Sequence, residues 1–306
     1  MENKNRNMIF LAITAFIWGT AFVAQSVGND FMGPYTFNGV RCLIGAFTLF
    51  LLILILDHSK KKEENFYKKK DLLIGGALCG ILLFAASTLQ QIGIQYTTAG
   101  KGGFITAFYI VFVPVLGIFF KKKTGVKVWI SVMIALLGLY LLCVNESLHI
   151  EKGDLLILIC SLIFSLHIIV IDTFSPKVDC VKMSFLQFLI AGILSLPPMF
   201  LLETPKITDM VIGWFPLLYT GVLSCGIAYT LQMVGQKNVN PTIASLILSL
   251  ESCFSVIAGW IILGEKLNIR EGTGCVLMFC AILITQIPSK KIVRRKEHEI
   301  CNSTSK

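Results

Sequence analysis

The sequence predicts an all-α, polytopic membrane protein: ten transmembrane helices, built as two inverted five-helix repeats around a central cavity. Three observations predict it. The chain holds long apolar runs free of charge, its loop Lys and Arg fall mostly on one side, and it carries an internal repeat.

Of 306 residues, 55% are hydrophobic and 15% charged. A soluble domain would carry roughly 25% charged residues. Residues 7–29, 72–100, 102–120, 183–202, 210–236 and 272–289 contain no Asp, Glu, Lys or Arg. A membrane helix needs about 20 mostly apolar residues, at about 1.5 Å rise each. Ten spans are predicted, near 8–27, 35–56, 71–92, 98–120, 126–144, 153–172, 182–202, 211–236, 241–263 and 270–288. The first run has no clear small-x-small cleavage site, so it is expected to remain as a span. Short links such as Gly28–Pro34 force neighbouring helices to be antiparallel. The ten cysteines sit mostly inside the apolar runs and read as small hydrophobes. They form no CxxC pair and no zinc spacing.

Orientation follows from Lys and Arg in the short loops. With the N-terminus inside, the inner loops and tails hold Lys4, Arg6, the lysines of 60–70, Lys121–Lys123, Lys127, Lys177, Lys182, Lys237 and a basic tail over 291–306. The outer side holds only Lys101, Lys152, Lys206, Lys266 and Arg270. The bias puts both termini in the cytoplasm and the chain in the cell (cytoplasmic) membrane. The net charge of +9 then belongs to loops that meet anionic headgroups. Short basic clusters tied to helix ends argue against a nucleic-acid role.

STLQQIG at 87–93 matches YTLQMVG at 229–235, an offset of 142 that also pairs Gly117 with Gly259. RCLIG at 41–45 pairs loosely with QFLIA at 187–191. The expected units are 1–148, 149–290 and the tail 291–306. Five spans per unit is an odd number, so the second unit must be upside down. Inverted repeats suit alternating access, because two similar halves can exchange conformations at little net cost.

Several segments carry a resemblance to a known family. They are FIWGTAF at 16–22, RCLIGA at 41–46, YTTAGKGGFITAFYIVFVPVLG at 96–117, and NPTIASLILSLESCFSVIAGWIILGEKL at 240–267. On these segments the chain resembles the drug/metabolite transporter superfamily, in its ten-span EamA-like group. The resemblance covers about 8–288. It implies a bundle of two inverted five-helix repeats around a cavity, and carriers of amino acids, sugars, nucleotide sugars or drugs. Many relatives follow the glutamate matching Glu251 with proline, where this chain has Ser252. A proline-free helix is expected there, with Pro114 as the source of a kink in the first half.

Glu251 lies about ten residues into its span, where an ionisable group costs roughly 2.5–3.5 kcal/mol. It must face protein or water, as a gate or cavity carboxylate or as a packing element. Arg41 sits within the second span. It could hold a substrate carboxylate with its planar guanidinium, or make a structural contact near the outer mouth. Its loose repeat counterpart is the neutral Gln187. Trp18 is mid-span, too deep for an interfacial anchor. Tyr109 aligns with Glu251 in the repeat. Tyr229 completes the set expected to line the pathway or its gates. Weaker pathway candidates are Lys101, Gln90, Gln232, His167 and Ser249. Lys101 is as readily a snorkelling lysine, and His167 a satisfied interhelical histidine. Gln90, Gln91 and Gln232 must face inward or be paired.

No G-x-x-x-x-G-K-[ST] loop, no filter of TVGYG type and no nucleophile–base pair is present. The reading is a secondary transporter, an exporter of small polar or amphipathic metabolites such as amino acids, working by alternating access. It is not an enzyme and uses no cofactor. Its partners are a small-molecule substrate and membrane lipids, with no obligate protein partner. The driving force is the substrate's own gradient or a proton. Two other readings stay open: a non-transporting sensor or scaffold on the same fold, and a membrane-embedded enzyme acting on lipid-like substrates.

Overall fold

A computed structural model describes residues 2–59, 68–97, 99–119, 125–143, 152–237, 239–264 and 269–286, and every regular element among them is helical. The tail 291–306, the lysines at 60–62 and 121–123, Lys266 and the 148/149 boundary lie outside the described residues.

The chain opens with α1 (Glu2–Asn29), α2 (Pro34–Ser59) and α3 (Lys69–Ile94). A fourth apolar stretch is divided into α4 (Ala99–Thr106) and α5 (Tyr109–Phe119), followed by α6 (Val126–Cys143). Then come α7 (Lys152–Phe174), α8 (Cys180–Leu202) and a short α9 (Ile207–Ile212). The next stretch is composite: α10 (Trp214–Leu218), a π-helix (Tyr219–Ala228) and α11 (Tyr229–Gln236). Another divided stretch, α12 (Pro241–Leu248) with α13 (Glu251–Leu263), precedes α14 (Ile269–Gln286). Eight helical stretches are long and apolar enough to cross a membrane, and Val126–Leu141 and Gly272–Ile284 are shorter apolar helices. Large apolar side chains such as Phe47, Ile55, Phe119, Leu201 and Ile261 point outward, as a lipid-facing surface requires.

The principal contacts join α6 to α14, α3 to α7 and α8, and α2 to α8 and the π-helix. α1 packs on α13, α11 and the π-helix, while α7 also packs on α4 and α5. Glycines permit these approaches, since apolar helices in lipid associate by close packing. A Cβ on Gly19 would fall 2.4 Å from Phe254 Cβ on α13, and one on Gly138 would fall 2.8 Å from the Gly274 carbonyl on α14.

Both divided stretches break where tightened turns replace the α-helical ladder. Phe108 N bonds Ile105 O and Ile110 N bonds Ala107 O; Leu250 N bonds Ile247 O and Ser252 N bonds Ser249 O. Such a three-residue turn inside a helix relaxes its geometry locally. Neither break uses proline. Pro114, the expected source of a kink, lies inside α5, beyond the break at 107–108. The stretch through Ser252 is broken all the same. Ser252 Oγ donates to Gly103 O on α4 at 2.8 Å, so the two divided stretches are tied together at their breaks.

Two helix starts are capped by carboxylates. Asp179 accepts from the Val181 and Lys182 amides and caps its own α8. The residue before Pro34 in α2 is Gly33, which has no capping side chain. Glu203, beyond the far end of α8, supplies the cap: it accepts from Tyr35 N at 2.9 Å, Thr36 N at 2.8 Å and Thr36 Oγ1 at 2.6 Å. A carboxylate there also suits the positive end of the α2 dipole.

Candidate functional site

The polar side chains that composition forces into these helices converge. A cavity of about 430 Å³, its open mouth included, lies between the two divided stretches and their neighbours. Trp18, Arg41, Tyr109, Tyr229 and Glu251 all line it, with Gln90 and Gln232. Gln25, Thr106 and Ser224 add further polar groups, and Phe22, Phe164 and Ile168 apolar ones.

Glu251 is the first residue of α13 and Tyr109 the first of α5, so each break delivers one of them to the cavity wall. Tyr109 donates its hydroxyl to Glu251 Oε1 at 2.8 Å, and both are buried. This bond gives the buried carboxylate a partner, without which its position in an apolar bundle would be costly.

Arg41 is buried, and its Nε and Nη2 donate to Asn38 Oδ1 one helical turn earlier, at 3.2 and 3.0 Å. Asn38 is itself held by Thr88, to whose Oγ1 it donates at 3.1 Å. The guanidinium lies 5.9 Å from the Phe37 ring centre. Among the described residues it forms no ion pair. A fixed cation therefore borders the cavity with donors to spare.

The rings of Trp18 and Tyr229 meet at a centroid distance of 4.6 Å, tilted 55° to each other, and the indole Nε1 has no hydrogen-bond partner among the described residues. Gln25 Oε1 and Gln232 Oε1 are likewise buried and unpartnered. Gln90 is occupied, donating to Thr106 Oγ1 at 3.1 Å. The cavity thus offers a cation, a carboxylate, an indole donor and two amides inside an aromatic wall. That chemistry matches a small ligand with both polar and apolar parts.

Three of the weaker candidates stand apart. Lys101 pairs with Asp154 at 2.6 Å, joining α4 to α7 outside the cavity. Ser249 Oγ bonds back to Leu246 O at 2.8 Å within the break. His167 is wholly buried behind the cavity wall and meets Gln187 at 3.0 Å. Sequence reasoning did not single out Thr106, Ser224, Phe164 or Ile168. Ser224 belongs to the π-helix, whose extra residue per turn is invisible to helical periodicity.

The EamA-like transporter family model matches residues 5–144 and again residues 151–287. The chain belongs to the EamA-like transporter family. An uncharacterized transporter of Archaeoglobus fulgidus is 32% identical over 279 residues, covering 90% of this EamA chain and 84% of the relative. The uncharacterized transporter YoaV of Bacillus subtilis is 26% identical, covering 90% and 95%. The uncharacterized inner membrane transporter YedA of Escherichia coli is 24% identical, covering 90% and 91%. One solved crystal structure shares the EamA chain's fold with a TM-score of 0.76 at 13% identity, covering 93% of this chain and 97% of the other.

Proposed function

We propose that this EamA-family chain is a secondary transporter, an exporter of small polar or amphipathic metabolites such as amino acids. In this reading ten spans form two inverted five-helix repeats, 1–148 and 149–290. Both termini lie in the cytoplasm, and the two halves alternate access to the cavity. The substrate's own gradient drives export.

The observation that carries the reading is the Tyr109–Glu251 bond in the cavity wall. The two residues stand at the repeat offset of 142, and both begin a half-helix. Repeat-equivalent groups touch only near the axis that relates the halves, so the cavity sits where alternation needs it. The glycine contacts also recur in pairs, at 142 between Gly93 and Gly235 and at 146 between the first-helix and second-helix residues they meet and their images. A Cβ on Gly93 would lie 3.0 Å from Gly153 O, and one on Gly235 would lie 2.9 Å from Asn7 O. A Cβ on Gly80 would meet Ile190 and Gln187 O, and one on Gly221 would meet Ile44 and Arg41 O. Each contact is the image of its partner. From Gly80 to Ser87 is one residue fewer than from Gly221 to Tyr229, and the π-helix between the latter pair absorbs the extra residue.

The test is counterflow in proteoliposomes with a panel of labelled amino acids. Unlabelled solute inside should accelerate tracer uptake, and Ala21→Phe, which fills the cavity, should abolish it while the purified variant stays monodisperse. Full counterflow by a folded Ala21→Phe chain would mean that the cavity is not the route.

A further inference from the structure

We propose that His167 and Gln187 form a second ligand half-site of the transport route, one that opens to the inner face and is shut in this conformation by the ring of Tyr229. The proposal rests on the inverted-repeat reading given above. By the register of 146 that pairs RCLIG with QFLIA, Gln187 is the image of Arg41, and His167 is the image of the cavity-lining Ala21. The second half therefore contains its own version of the Arg41 wall.

That version is closed by one side chain. At the offset of 142 the image of Tyr229 is Ser87. On the Arg41 side that position holds the small Ser87, whose hydroxyl donates back to Leu83 O at 2.6 Å. On the Gln187 side it holds the Tyr229 ring. Its centre lies 6.0 Å from the His167 ring and 5.2 Å from that of Phe188, the residue after Gln187.

Behind this ring the polar pair is incomplete. His167 and Gln187 are wholly buried and bond each other at 3.0 Å, yet among the described residues His167 Nδ1 and Gln187 Nε2 have no partner. Two orphaned polar atoms in an apolar bundle are costly unless another conformation uses them. Whichever neutral imidazole tautomer and amide orientation holds, the bonded pair has at least one donor and one acceptor left over. Such a pair suits a neutral group with both functions: a carboxamide, a hydroxyl or a protonated carboxyl. Arg41 has only donors and suits an anionic carboxylate. The two half-sites thus differ in chemistry, and a ligand meets a cation on the outer side and a neutral pair on the inner side.

Single cysteines at Arg41 and Gln187, in a chain whose native cysteines are replaced by alanine or serine, test this with a membrane-impermeant maleimide on right-side-out and inside-out vesicles. Arg41→Cys should label from the outer face and Gln187→Cys from the inner face. Adding Tyr229→Ala should raise the Gln187→Cys rate at least about tenfold. If Gln187→Cys does not insert, Leu248→Cys, the image of Thr106, takes its place. Labelling of Arg41→Cys from outside, with Gln187→Cys silent from both faces even beside Tyr229→Ala, would overturn the half-site and leave the transporter reading standing. Labelling of both cysteines from one face would overturn the inverted-repeat reading and the half-site with it.

Discussion

Tyr109 and Glu251 are bonded through Oη and Oε1 at 2.8 Å, and they are separated by 142 residues, the spacing at which STLQQIG returns as YTLQMVG. Each opens the second half of a divided helix. A group meets its own image across a two-fold axis only when it lies close to that axis. In the inverted-repeat reading proposed above, this hydrogen bond joins the two halves in the wall of the cavity.

Removing either partner should weaken the fold through this bond. A double-mutant cycle with Tyr109→Phe and Glu251→Leu should give a coupling of about 0.5–2 kcal/mol, the range of interhelical hydrogen bonds in membranes. Thermal unfolding of the purified variants in detergent measures it. Strict additivity would show that the two side chains do not interact.

Gly19 admits α13 to within side-chain contact of α1. Gly19→Val should cost more than about 2 kcal/mol by overpacking and reduce the monodisperse fraction on size-exclusion chromatography. Gly125→Ala, with nothing near its Cβ position, should leave that fraction unchanged.

Glu203 caps α2 from another helix. Glu203→Gln should keep one acceptor but lose the charge, at a cost of about 0.5–1 kcal/mol, and Glu203→Ala about 1–2 kcal/mol. Melting temperatures should fall in that order. Equal melting temperatures for all three chains would mean that the cap contributes nothing.

Arg41 should select for a carboxylate. In counterflow, Arg41→Gln should weaken competition by an amino acid at least tenfold relative to competition by its amide, because only the former presents an anion to the guanidinium. Equal losses for both competitors would make Arg41 a structural element held by Asn38.

Much of this architecture was legible in the residues. Charge-free runs mark where helices lie, because lipid tolerates neither charge nor unpaired backbone. The residues singled out within the predicted spans, Trp18, Arg41, Tyr109, Tyr229 and Glu251, all line one cavity. The breaks at 107–108 and 249–250 were not legible, since no proline or glycine stands in them. Lys101 was ambiguous because its partner, Asp154, is distant in sequence and close only in the fold. Ser224 gave no signal, since the π-helix sets which of its neighbours faces inward.

The most direct test concerns two loop positions related by the repeat. Gln95 follows α3, and Lys237, 142 residues later, follows α11. In cysteine-depleted chains, Gln95→Cys should react with impermeant maleimide only from the outer face and Lys237→Cys only from the inner face. Reaction of both from the same face would contradict the inversion on which the cavity's role as a two-sided route depends.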